Sequence, residues 1–324
     1  MDITAATLHT VSDTLRRWAL DEGLKARTMA DPALAAVAGR VAARYTAGPD
    51  VDGALRALES VAHRGHRGSI ECVGESVRDA GVASQETEAF VDLAERLGRP
   101  GSPLPAPVPT LSFDLSHLGS LVSPELGLEN ASRVAQAARD AGTSVMISAE
   151  GSDRTDLVLD LWERLSSDFP ETGITLQARL HRTPEDLERV LRRPGPVRLV
   201  KGAFLEPSAV AYPRDSEPMI AAYHRLADRL LTSGHRVSLA THDAALVEEL
   251  RTRHGDTLRD DHVEFEMLQG LGTALLDALH ADGFTTREYI VYGPEWWLYV
   301  FNRIAEHPER VLLAVADLGS LTSG

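Results

Sequence analysis

From residue 110 onward, short apolar runs typical of buried strands alternate with longer segments in which apolar residues recur at helical spacing. This alternation predicts a parallel sheet, because each parallel strand needs a connection that carries the chain back before the next one begins. Strands are predicted at residues 110–114, 144–149, 174–178, 197–201, 236–240, 262–266 and 287–292. Helices are predicted between them at 126–141, 153–169, 184–191, 219–233, 244–254 and 273–281, and after the last strand near 295–306 and 309–318.

Two arrangements of a parallel sheet fit this order. Seven or eight strand–helix units in about 210 residues favour a closed (βα)8 barrel of the TIM type. An open, doubly wound sheet is the alternative. No G-x-G-x-x-G turn follows the first of these strands, which argues against the dinucleotide-binding form of that alternative.

The N-terminal third of the chain has a different character. Residues 8–100 show helical spacing in several stretches, with one short strand candidate at 69–73. The segment RPGSPLPAPVP at 99–109 carries five of the 17 prolines, so it cannot continue a helix and is typical of a semi-rigid connector. The sequence therefore predicts an N-terminal helical arm over residues 1–108 and a barrel over residues 109–324.

Composition excludes several classes of protein. The chain carries 48 acidic against 33 basic residues and a net charge of −15, which disfavours nucleic acid and an anionic membrane surface as partners. The single cysteine, Cys72, excludes an internal disulfide framework and a cysteine-based zinc site, and no metal site is predicted. No apolar run approaches about 18 residues, so a cytoplasmic protein is expected, with a peripheral position at the inner face of the membrane as the alternative.

The predicted strand at 197–201 combines apolar residues with two cations, Arg198 and Lys201, and is followed by Gly202 and Ala203. Interior cations on a strand usually face something anionic or electron-rich. Small residues let a planar ligand approach the backbone. The strand is therefore a candidate ligand-binding element, and the alternative is an ordinary strand whose charged ends reach solvent.

Other predicted strands also end in polar residues. The active face of a (βα)8 barrel lies at the carboxyl ends of its strands, so these residues converge in that fold. Singly, each has a structural explanation: His242 as the cap of a helix that starts at Asp243, and Glu266 as a solvated strand end. The convergence is what predicts a functional site, and its members are Asp114, Ser148, Glu150, Gln177, Arg179, Arg198, Lys201, Thr241, His242, Asp243, Glu266, Gln269 and Tyr289.

The predicted helix at 295–306 carries a second candidate feature. Its polar and aromatic residues recur at i, i+3, i+4 and i+7 and so share one face, and they are Tyr299, Asn302, Arg303 and Glu306. An aromatic ring, an amide, a guanidinium and a carboxylate make a poor core face but suit a lid over an amino-acid-sized ligand. The alternative is an exposed face with an Arg303–Glu306 ion pair.

Four motifs, in the same order along the chain, resemble those of the proline dehydrogenase family, with similarity over residues 30–320. They are RLVKGA at 198–203, LATHD at 239–243, EFEMLQG at 264–270, and the stretch 289–306 that corresponds to the family's last strand and substrate-binding helix. In the third motif, Glu266 stands where the family usually has glutamine. The sequence is therefore identified as a member of this family of FAD-dependent (βα)8-barrel enzymes.

The resemblance implies bound FAD and oxidation of the C–N bond of a cyclic secondary amine to an imine. It places Arg198 near the flavin N5, with Lys201 in the same strand-end shell. Tyr289, Tyr299 and Arg303 fall in the amino-acid pocket. The positions that correspond to FAD contacts are Gln177, Arg198, Val200, Gly202, Ala203, Thr241, His242, Glu266, Leu268 and Glu306.

Four substrate-side positions depart from the family pattern. Asn302 replaces the first of two arginines that clamp the substrate carboxylate, and Asp114 replaces a lysine at a strand end. Ser148 replaces an aspartate, and Phe204 replaces a tyrosine. The FAD-side residues are mostly kept, so the resemblance implies a flavoenzyme with an altered substrate, and Asn302, Asp114 and Ser148 are predicted site residues.

Three functions are open on this evidence. The first is an FAD-dependent dehydrogenase that acts on proline or a close relative. The second is a related flavoenzyme that acts on a different N-substituted amino acid or amine in specialised metabolism, and the third is a pseudoenzyme without FAD. For either enzyme the expected partners are an amino-acid-like substrate, an electron acceptor such as a quinone or oxygen, and a separate aldehyde dehydrogenase for the next step.

Overall fold

The computed structural model describes residues 4–74, 76–99 and 107–312. Eight parallel strands pair in sequence order and close into one barrel. This confirms the predicted (βα)8 barrel over the doubly wound alternative. The strands are β1 Arg67–Cys72, β2 Thr110–Phe113, β3 Val145–Ile147, β4 Gly173–Gln177, β5 Val197–Val200, β6 Val237–Ala240, β7 Val263–Leu268 and β8 Thr286–Tyr292.

Helices surround the barrel and connect its strands. Several begin at a local cap: Ser123 and Ser216 accept hydrogen bonds from the backbone N–H groups of Leu126 and Met219, and a proline follows within two residues of each serine. The helices are α1 Ala5–Ala19, α2 Glu22–Ala30, α3 Pro32–Ala42, α4 Val51–His63, α5 Ala80–Leu97, α6 Pro124–Asp140, α7 Thr155–Asp168, α8 Thr183–Val190, α9 Glu217–Leu231, α10 Ala244–His254, α11 Thr273–Ala281 and α12 Trp296–Glu306.

The barrel starts earlier than the sequence predicts. In β1, Ser69 is in register with Thr110 of β2 on one side and with Tyr289 of β8 on the other. The strand candidate assigned to the helical arm therefore closes the sheet. The predicted boundary at residue 108 falls inside the barrel, because β1 and the seven later strands form one continuous set of hydrogen bonds.

Two predicted elements lie partly outside the described residues. They are the connector at 99–109, of which residues 100–106 are not described, and the helix at 309–318, of which residues 313–318 are not described. By contrast, α10 and α11 begin and end at the predicted residues. Within the described ranges, no helix is both long and apolar enough to cross a membrane.

The inside of the barrel is polar. Strand residues alternate between the two faces, so apolar residues such as Leu199 pack outward against the helices. Inside, Arg287 pairs with Glu264 at 2.6 Å and Arg198 pairs with Glu266 at 2.8 Å. Burial alone would raise the pKa of Glu264, but Arg287 and a hydrogen bond hold that pKa at about 2. The interior thus consists of paired charges, which is the form in which buried charges are tolerated.

The N-terminal arm packs on α12. Trp297 Nε1 donates a hydrogen bond to the carbonyl of Trp18 over 2.8 Å, and Ser12 Oγ donates to the carbonyl of Ala305 over 2.7 Å. An apolar cluster that includes Leu15 of α1 continues the contact. The arm therefore covers the helix that the sequence marks as a lid.

Candidate active site

Arg198 and Glu266 form a buried ion pair within the barrel. Arg198 Nε donates to Glu266 Oε2 over 2.8 Å, and Nη2 donates to Oε1 over 2.9 Å. The guanidinium also reaches the hydroxyls of Ser112 at 3.2 Å and Thr175 at 3.4 Å, while Ser69 donates to Glu266 at 3.0 Å. The two predicted residues are therefore partners of each other, and Arg198 contributes to the site as half of a neutral pair.

Tyr289 connects this pair to the carboxyl end of the barrel. Its ring centroid lies 4.7 Å from the guanidinium carbon of Arg198, a cation–π contact. Its hydroxyl donates to Glu71 Oε2 and lies 3.4 Å from the hydroxyl of Ser148. Ser148 Oγ itself donates to the same Glu71 oxygen over 2.9 Å. The structure thus brings together Tyr289 and Ser148, which are both predicted site residues, around the carboxylate of Glu71, which the sequence did not predict.

Glu71 is the site residue that sequence reasoning missed. It lies on β1, two residues after Ser69, so both side chains point into the barrel. The alternation of polar residues within the strand candidate at 69–73 was the available clue. From the sequence, Ser148 is interpreted as the loss of a carboxylate, because it replaces an aspartate of the family pattern. In the structure, Ser148 contacts a carboxylate, that of Glu71, which another strand supplies.

The predicted stripe on α12 forms a compact cluster. Arg303 Nη1 pairs with Glu306 Oε2 at 3.2 Å, and its guanidinium carbon lies 5.3 Å from the ring centroid of Tyr299. Arg303 Nε is buried and has no hydrogen-bond partner among the residues that the structure describes. Burial opposes the charge of Arg303, but Glu306, Tyr299 and Glu71 together raise its pKa. Arg303 therefore stays charged with a donor to spare.

Asn302 and Asp114 lie at the rim of the same region. Asn302 is half-buried on α12 beside Arg303. Asp114 is half-buried, and it directly follows β2, the strand between β1 and β3. Of the four departures from the family pattern, Ser148 contacts Glu71 and Asn302 lies on α12, whereas Phe204 lies in the loop after β5, where its carbonyl accepts a hydrogen bond from Arg179 at 2.6 Å.

Lys201 is engaged by two carboxylates. Its Nζ donates to Asp215 over 2.8 Å and to Asp243 over 2.6 Å. Burial disfavours the ammonium, but the two aspartates raise the pKa of Lys201 above its usual range. The side chain therefore ties the loop between β5 and α9 to the start of α10, beside the barrel mouth.

His242 is held neutral by its surroundings. Its Nε2 accepts a hydrogen bond from the backbone N–H of Leu268 over 2.8 Å, which requires that nitrogen to be unprotonated. Burial, followed by the nearby Arg303, lowers the pKa of His242 to about 3. Thr241 is buried and accepts a hydrogen bond from the N–H of Asp243 at 3.2 Å. The residues after β6 are therefore fixed against the end of β7.

Gln177 and Gly202 form a tight corner at the ends of β4 and β5. Gln177 Nε2 donates to the carbonyl of Glu150 over 2.8 Å, while its buried Oε1 finds no partner within the described chain. Gly202 has a φ of +109°, and a Cβ there would lie 2.7 and 2.8 Å from Cγ and Cδ of Arg179 and 3.1 Å from that same Oε1. Glycine is required at this position, and it leaves backbone rather than side chain beside Gln177. Val200, two residues before Gly202, and Ala203, directly after it, are half-buried.

The loop between β5 and α9 is anchored by Arg179. Its guanidinium donates to the carbonyls of Phe204 and Tyr212, at 2.6 to 3.1 Å. In the same loop, Arg214 has two buried nitrogens, Nε and Nη2, without a hydrogen-bond partner in the described ranges. Burial lowers the pKa of Arg214 although Glu306 opposes that shift. Arg214 is a second cation near α12 that the sequence did not single out.

The closed parallel barrel carries acidic, basic and aromatic side chains at the carboxyl ends of its strands. Beside them lies a helix with a partly unpaired arginine. Together these features define a (βα)8-barrel enzyme. The described residues contain no group of three or more His, Cys, Asp or Glu side chains placed to hold a metal ion. The chain belongs to the proline dehydrogenase family, whose model matches residues 54–298.

Individual relatives agree with the family. The proline dehydrogenase of Deinococcus radiodurans is 30% identical over 286 residues, which cover 86% of this chain and 90% of that protein. Proline dehydrogenase 2 of Bacillus subtilis is 28% identical over 279 residues, which cover 85% of this chain and 89% of that one. The resemblance found in the sequence motifs is therefore confirmed.

Solved structures share the fold. Proline utilization A (PutA) from Bdellovibrio bacteriovorus, inactivated by N-propargylglycine, matches 94% of this chain with a TM-score of 0.73 at 16% identity. A variant of PutA from Bradyrhizobium japonicum matches 82% with a TM-score of 0.70 at 22% identity. This chain spans 41% and 30% of those two chains, respectively, so the likeness concerns one part of each.

Proposed function

We propose that this chain is an FAD-dependent dehydrogenase that oxidises the C–N bond of proline or a proline-like secondary amino acid to an imine. The observation that carries the proposal is the half-buried Arg303 on α12, beside Tyr299, whose buried Nε is unpartnered in the described residues. A guanidinium with a spare donor, in a partly apolar setting, is suited to the carboxylate of an amino acid.

The residues predicted to contact FAD fit a planar group that forms hydrogen bonds. The unpartnered Oε1 of Gln177 offers an acceptor beside the bare backbone of Gly202. Glu266 is engaged by Arg198 and Ser69, so it acts on the cofactor through Arg198. FAD, when bound, supplies the hydride acceptor for the carbon next to the substrate nitrogen. The residues that would hold it are Gln177, Arg198, Val200, Gly202, Ala203, Thr241, His242, Leu268 and Glu306.

The chain's own side chains bind and shield the substrate. Arg303 binds the carboxylate, and the ring of Tyr299 covers the apolar part of the ligand. α12, held down by the N-terminal arm, excludes water from the reacting carbon. Tyr289 contacts both Arg198 and Glu71, so it links the interior charge pair to the substrate side.

A second candidate is a dehydrogenase of a different N-substituted amino acid. It is favoured by Asn302, which supplies a neutral amide where the family has a second arginine. A charged hydrogen bond contributes roughly 1.5–3 kcal/mol and a neutral one about 0.5–1.5, so this change alone lowers the affinity for plain proline about tenfold. Asp114 changes the charge at the end of β2, and Phe204 removes a hydroxyl from the loop after β5. We therefore expect unmodified proline to be a poor substrate.

The purified protein tests both proposals. FAD released on denaturation, together with anaerobic bleaching of the flavin across a panel of cyclic and N-alkyl amino acids, identifies the cofactor and the substrate class. A colourless protein that gains no flavin absorbance on adding FAD contradicts the enzyme and supports the pseudoenzyme. Proline turnover with kcat/KM of about 10⁴ M⁻¹s⁻¹ or above contradicts the altered substrate. Faster flavin reduction by proline in Asn302→Arg/Asp114→Lys supports it.

The proposal implies two further partners. A quinone or oxygen would accept the electrons, and a cytoplasmic enzyme would meet a quinone at the inner face of the membrane. The imine product hydrolyses to an amino aldehyde, which a separate aldehyde dehydrogenase oxidises. The chain's net charge of −15 disfavours nucleic acid as a partner.

A further inference from the structure

The buried pair of Arg198 and Glu266 lies directly beneath the carboxyl end of the barrel. Strand residues two apart share one face, so Arg198 lies one layer below Val200 on β5, and Glu266 lies one layer below Leu268 on β7. Val200 and Leu268 are half-buried, whereas Arg198 is 4% exposed and Glu266 2%. The pair therefore closes the bottom of a barrel mouth that is still partly open to a ligand.

The geometry of the pair leaves Arg198 a hydrogen-bond donor but compensates its charge. Its two hydrogen bonds to Glu266, at 2.8 and 2.9 Å, are bidentate and hold the opposite charges together. Ser112 and Thr175 accept hydrogen bonds from the same guanidinium at 3.2 and 3.4 Å. These four contacts leave one N–H on Nη1 without a partner in the described residues. Arg198 can therefore still donate to a ligand, although Glu266 cancels its charge.

The partner of Arg198, rather than the guanidinium itself, sets the charge of this layer. Glutamine, which the family usually has at the position of Glu266, offers the same kind of acceptor oxygen but no charge. With glutamine the guanidinium would be uncompensated, whereas with Glu266 the pair is neutral. The next layer down is built in the same way, from Arg287 and Glu264 at 2.6 Å. The presence of Glu266 therefore lowers the net charge beneath the mouth by one unit.

We propose that Glu266 compensates the charge of Arg198 and thereby lowers the reduction potential of the FAD that the barrel binds. This inference rests on the proposed function, in which Arg198 is one of the residues that hold the cofactor. A flavin ring that has accepted two electrons and one proton carries a negative charge, which a nearby cation stabilises. Glu266 weakens that stabilisation through Arg198 and is a positioning residue. The bound FAD is then a weaker oxidant than it would be beside an uncompensated guanidinium.

The reduction potential of the flavin-loaded protein tests this assignment. Wild type and Glu266→Gln are titrated anaerobically with dithionite, in the presence of a reference dye of known potential. Glutamine keeps the shape of the side chain and an acceptor for Arg198 but removes the negative charge. At a fixed potential, Glu266→Gln should increase the ratio of reduced to oxidised flavin at least tenfold, which corresponds to about 30 mV for a two-electron couple.

Two further variants separate the charge beneath the mouth from other effects. Glu264→Gln is the matched control, because Glu264 lies on the same strand and face, pairs with Arg287, and is about 7 Å further from the mouth along the strand. It should change the ratio less than Glu266→Gln does. Ser69→Ala removes a neutral hydrogen bond to Glu266 and keeps both charges of the pair, so the ratio should stay close to that of wild type.

A double variant keeps the test valid if Glu266→Gln does not fold. Arg198→Met/Glu266→Gln removes both charges, so no uncompensated charge is left buried. Because the pair is neutral in the wild type, the potential of this double variant should lie close to the wild-type value. An uncompensated Arg198 in the wild type would instead predict a fall of the ratio in the double variant.

Each outcome decides between explanations. An unchanged or lower ratio in Glu266→Gln overturns the proposal. An equally large rise in Glu264→Gln or Ser69→Ala also overturns it, because the shift would then not depend on the charge of Glu266. A tenfold fall in the double variant means that Arg198 acts as an uncompensated cation, and the proposal is again wrong. Wild-type protein that binds no FAD contradicts the proposed function itself, and that result is distinct because it appears before any variant is made.

Discussion

At the scale of single residues, the Arg198–Glu266 pair shows how strongly one side chain depends on another. Both are almost fully buried, and their two parallel hydrogen bonds have the bidentate geometry that makes such pairs tight. A buried pair adds little stability compared with an apolar core, but breaking it leaves an uncompensated charge. The consequence of a substitution here therefore depends on whether one partner or both are changed.

Arg198→Met is expected to lower the free energy of unfolding by about 3–5 kcal/mol, because Glu266 would keep its buried charge without the guanidinium that compensates it. The hydrogen bond from Ser69 to Glu266 would remain. Arg198→Met/Glu266→Gln should recover most of that loss. Urea titrations of the three proteins measure it. Arg229→Met removes a solvent-exposed pair with Glu188 and serves as the control, with little change expected. An Arg198→Met protein as stable as its double variant would contradict this account.

His242 gives a pH dependence with a definite sign. Its pKa of about 3 in the folded protein lies below the ordinary value of 6.5. Between these two values, His242 therefore binds a proton in the unfolded chain but stays neutral in the folded protein. Stability is therefore full above pH 6.5 and falls as the pH drops. By pH 5 this group costs up to about 2 kcal/mol.

His242→Gln should reduce the loss of unfolding free energy between pH 7.5 and pH 5, since glutamine can accept the Leu268 hydrogen bond without titrating. His66 and His254, whose pKa values burial also lowers, contribute to the dependence that remains. Urea unfolding at both pH values is the measurement. An identical pH dependence in wild type and variant would mean that His242 is protonated in the folded protein.

Sequence patterns singled out most residues of the candidate site but not the partners of those residues. Tyr289, Ser148, Arg198 and Glu266 were all predicted from strand ends and motifs. Their hydrogen bonds depend on which strands meet across the barrel, and that follows from closure rather than from spacing along the chain. Glu71 was missed for the same reason, because its strand could be assigned to the barrel only once β1 was seen between β2 and β8.

At the scale of elements, α12 derives its position from α1. Trp297 is 4% exposed, and its indole N–H is bonded to the carbonyl of Trp18 near the end of α1. Trp296, Val300 and Ile304 of α12 share an apolar cluster with Leu15 of α1. The face of α12 that carries Tyr299 and Arg303 is therefore oriented from behind by the arm.

Trp297→Phe should raise the KM for the substrate several-fold while leaving flavin content unchanged. The phenyl ring keeps part of the packing, but the Trp18 carbonyl loses the indole donor and keeps only the Asp21 N–H of its two described donors, a loss of one neutral hydrogen bond of about 0.5–1.5 kcal/mol. Steady-state kinetics and flavin absorbance measure the two quantities. Trp18→Phe keeps the acceptor carbonyl and is the matched control. A KM equal to that of wild type would show that α12 is held by other contacts.

The elements were predicted with uneven success, for physical reasons. α10 and α11 have strong apolar periodicity and clear ends, so their bounds agree with the structure. β7 extends to Leu268 rather than ending at 266, because it pairs with β8 as far as Tyr289. Pairing with a neighbouring strand, which sets where a strand ends, is not visible in the strand's own residues.

At the scale of the whole molecule, β1 determines where the catalytic barrel begins. It pairs with β8 through six residues and with β2 through three. It also supplies Ser69 to the interior ion pair and Glu71 to the pocket. A chain that starts at the predicted boundary lacks all of these contacts, whereas one that starts before α4 keeps them and loses residues 1–45, whose α1 packs on α12.

A fragment of residues 109–324 is therefore expected not to fold, because losing β1 leaves β2 and β8 with unpaired edges that promote aggregation. A fragment of residues 46–324 keeps all eight strands and should unfold cooperatively, although with weaker substrate binding because α1 no longer supports α12. Size-exclusion chromatography, near-ultraviolet circular dichroism and urea titration compare the two. A monomeric 109–324 fragment with a cooperative transition would show that the barrel closes without β1 and would restore the boundary at residue 108. Failure of both fragments would instead make α1, α2 and α3 part of the folding unit, since the 46–324 fragment lacks residues 1–45.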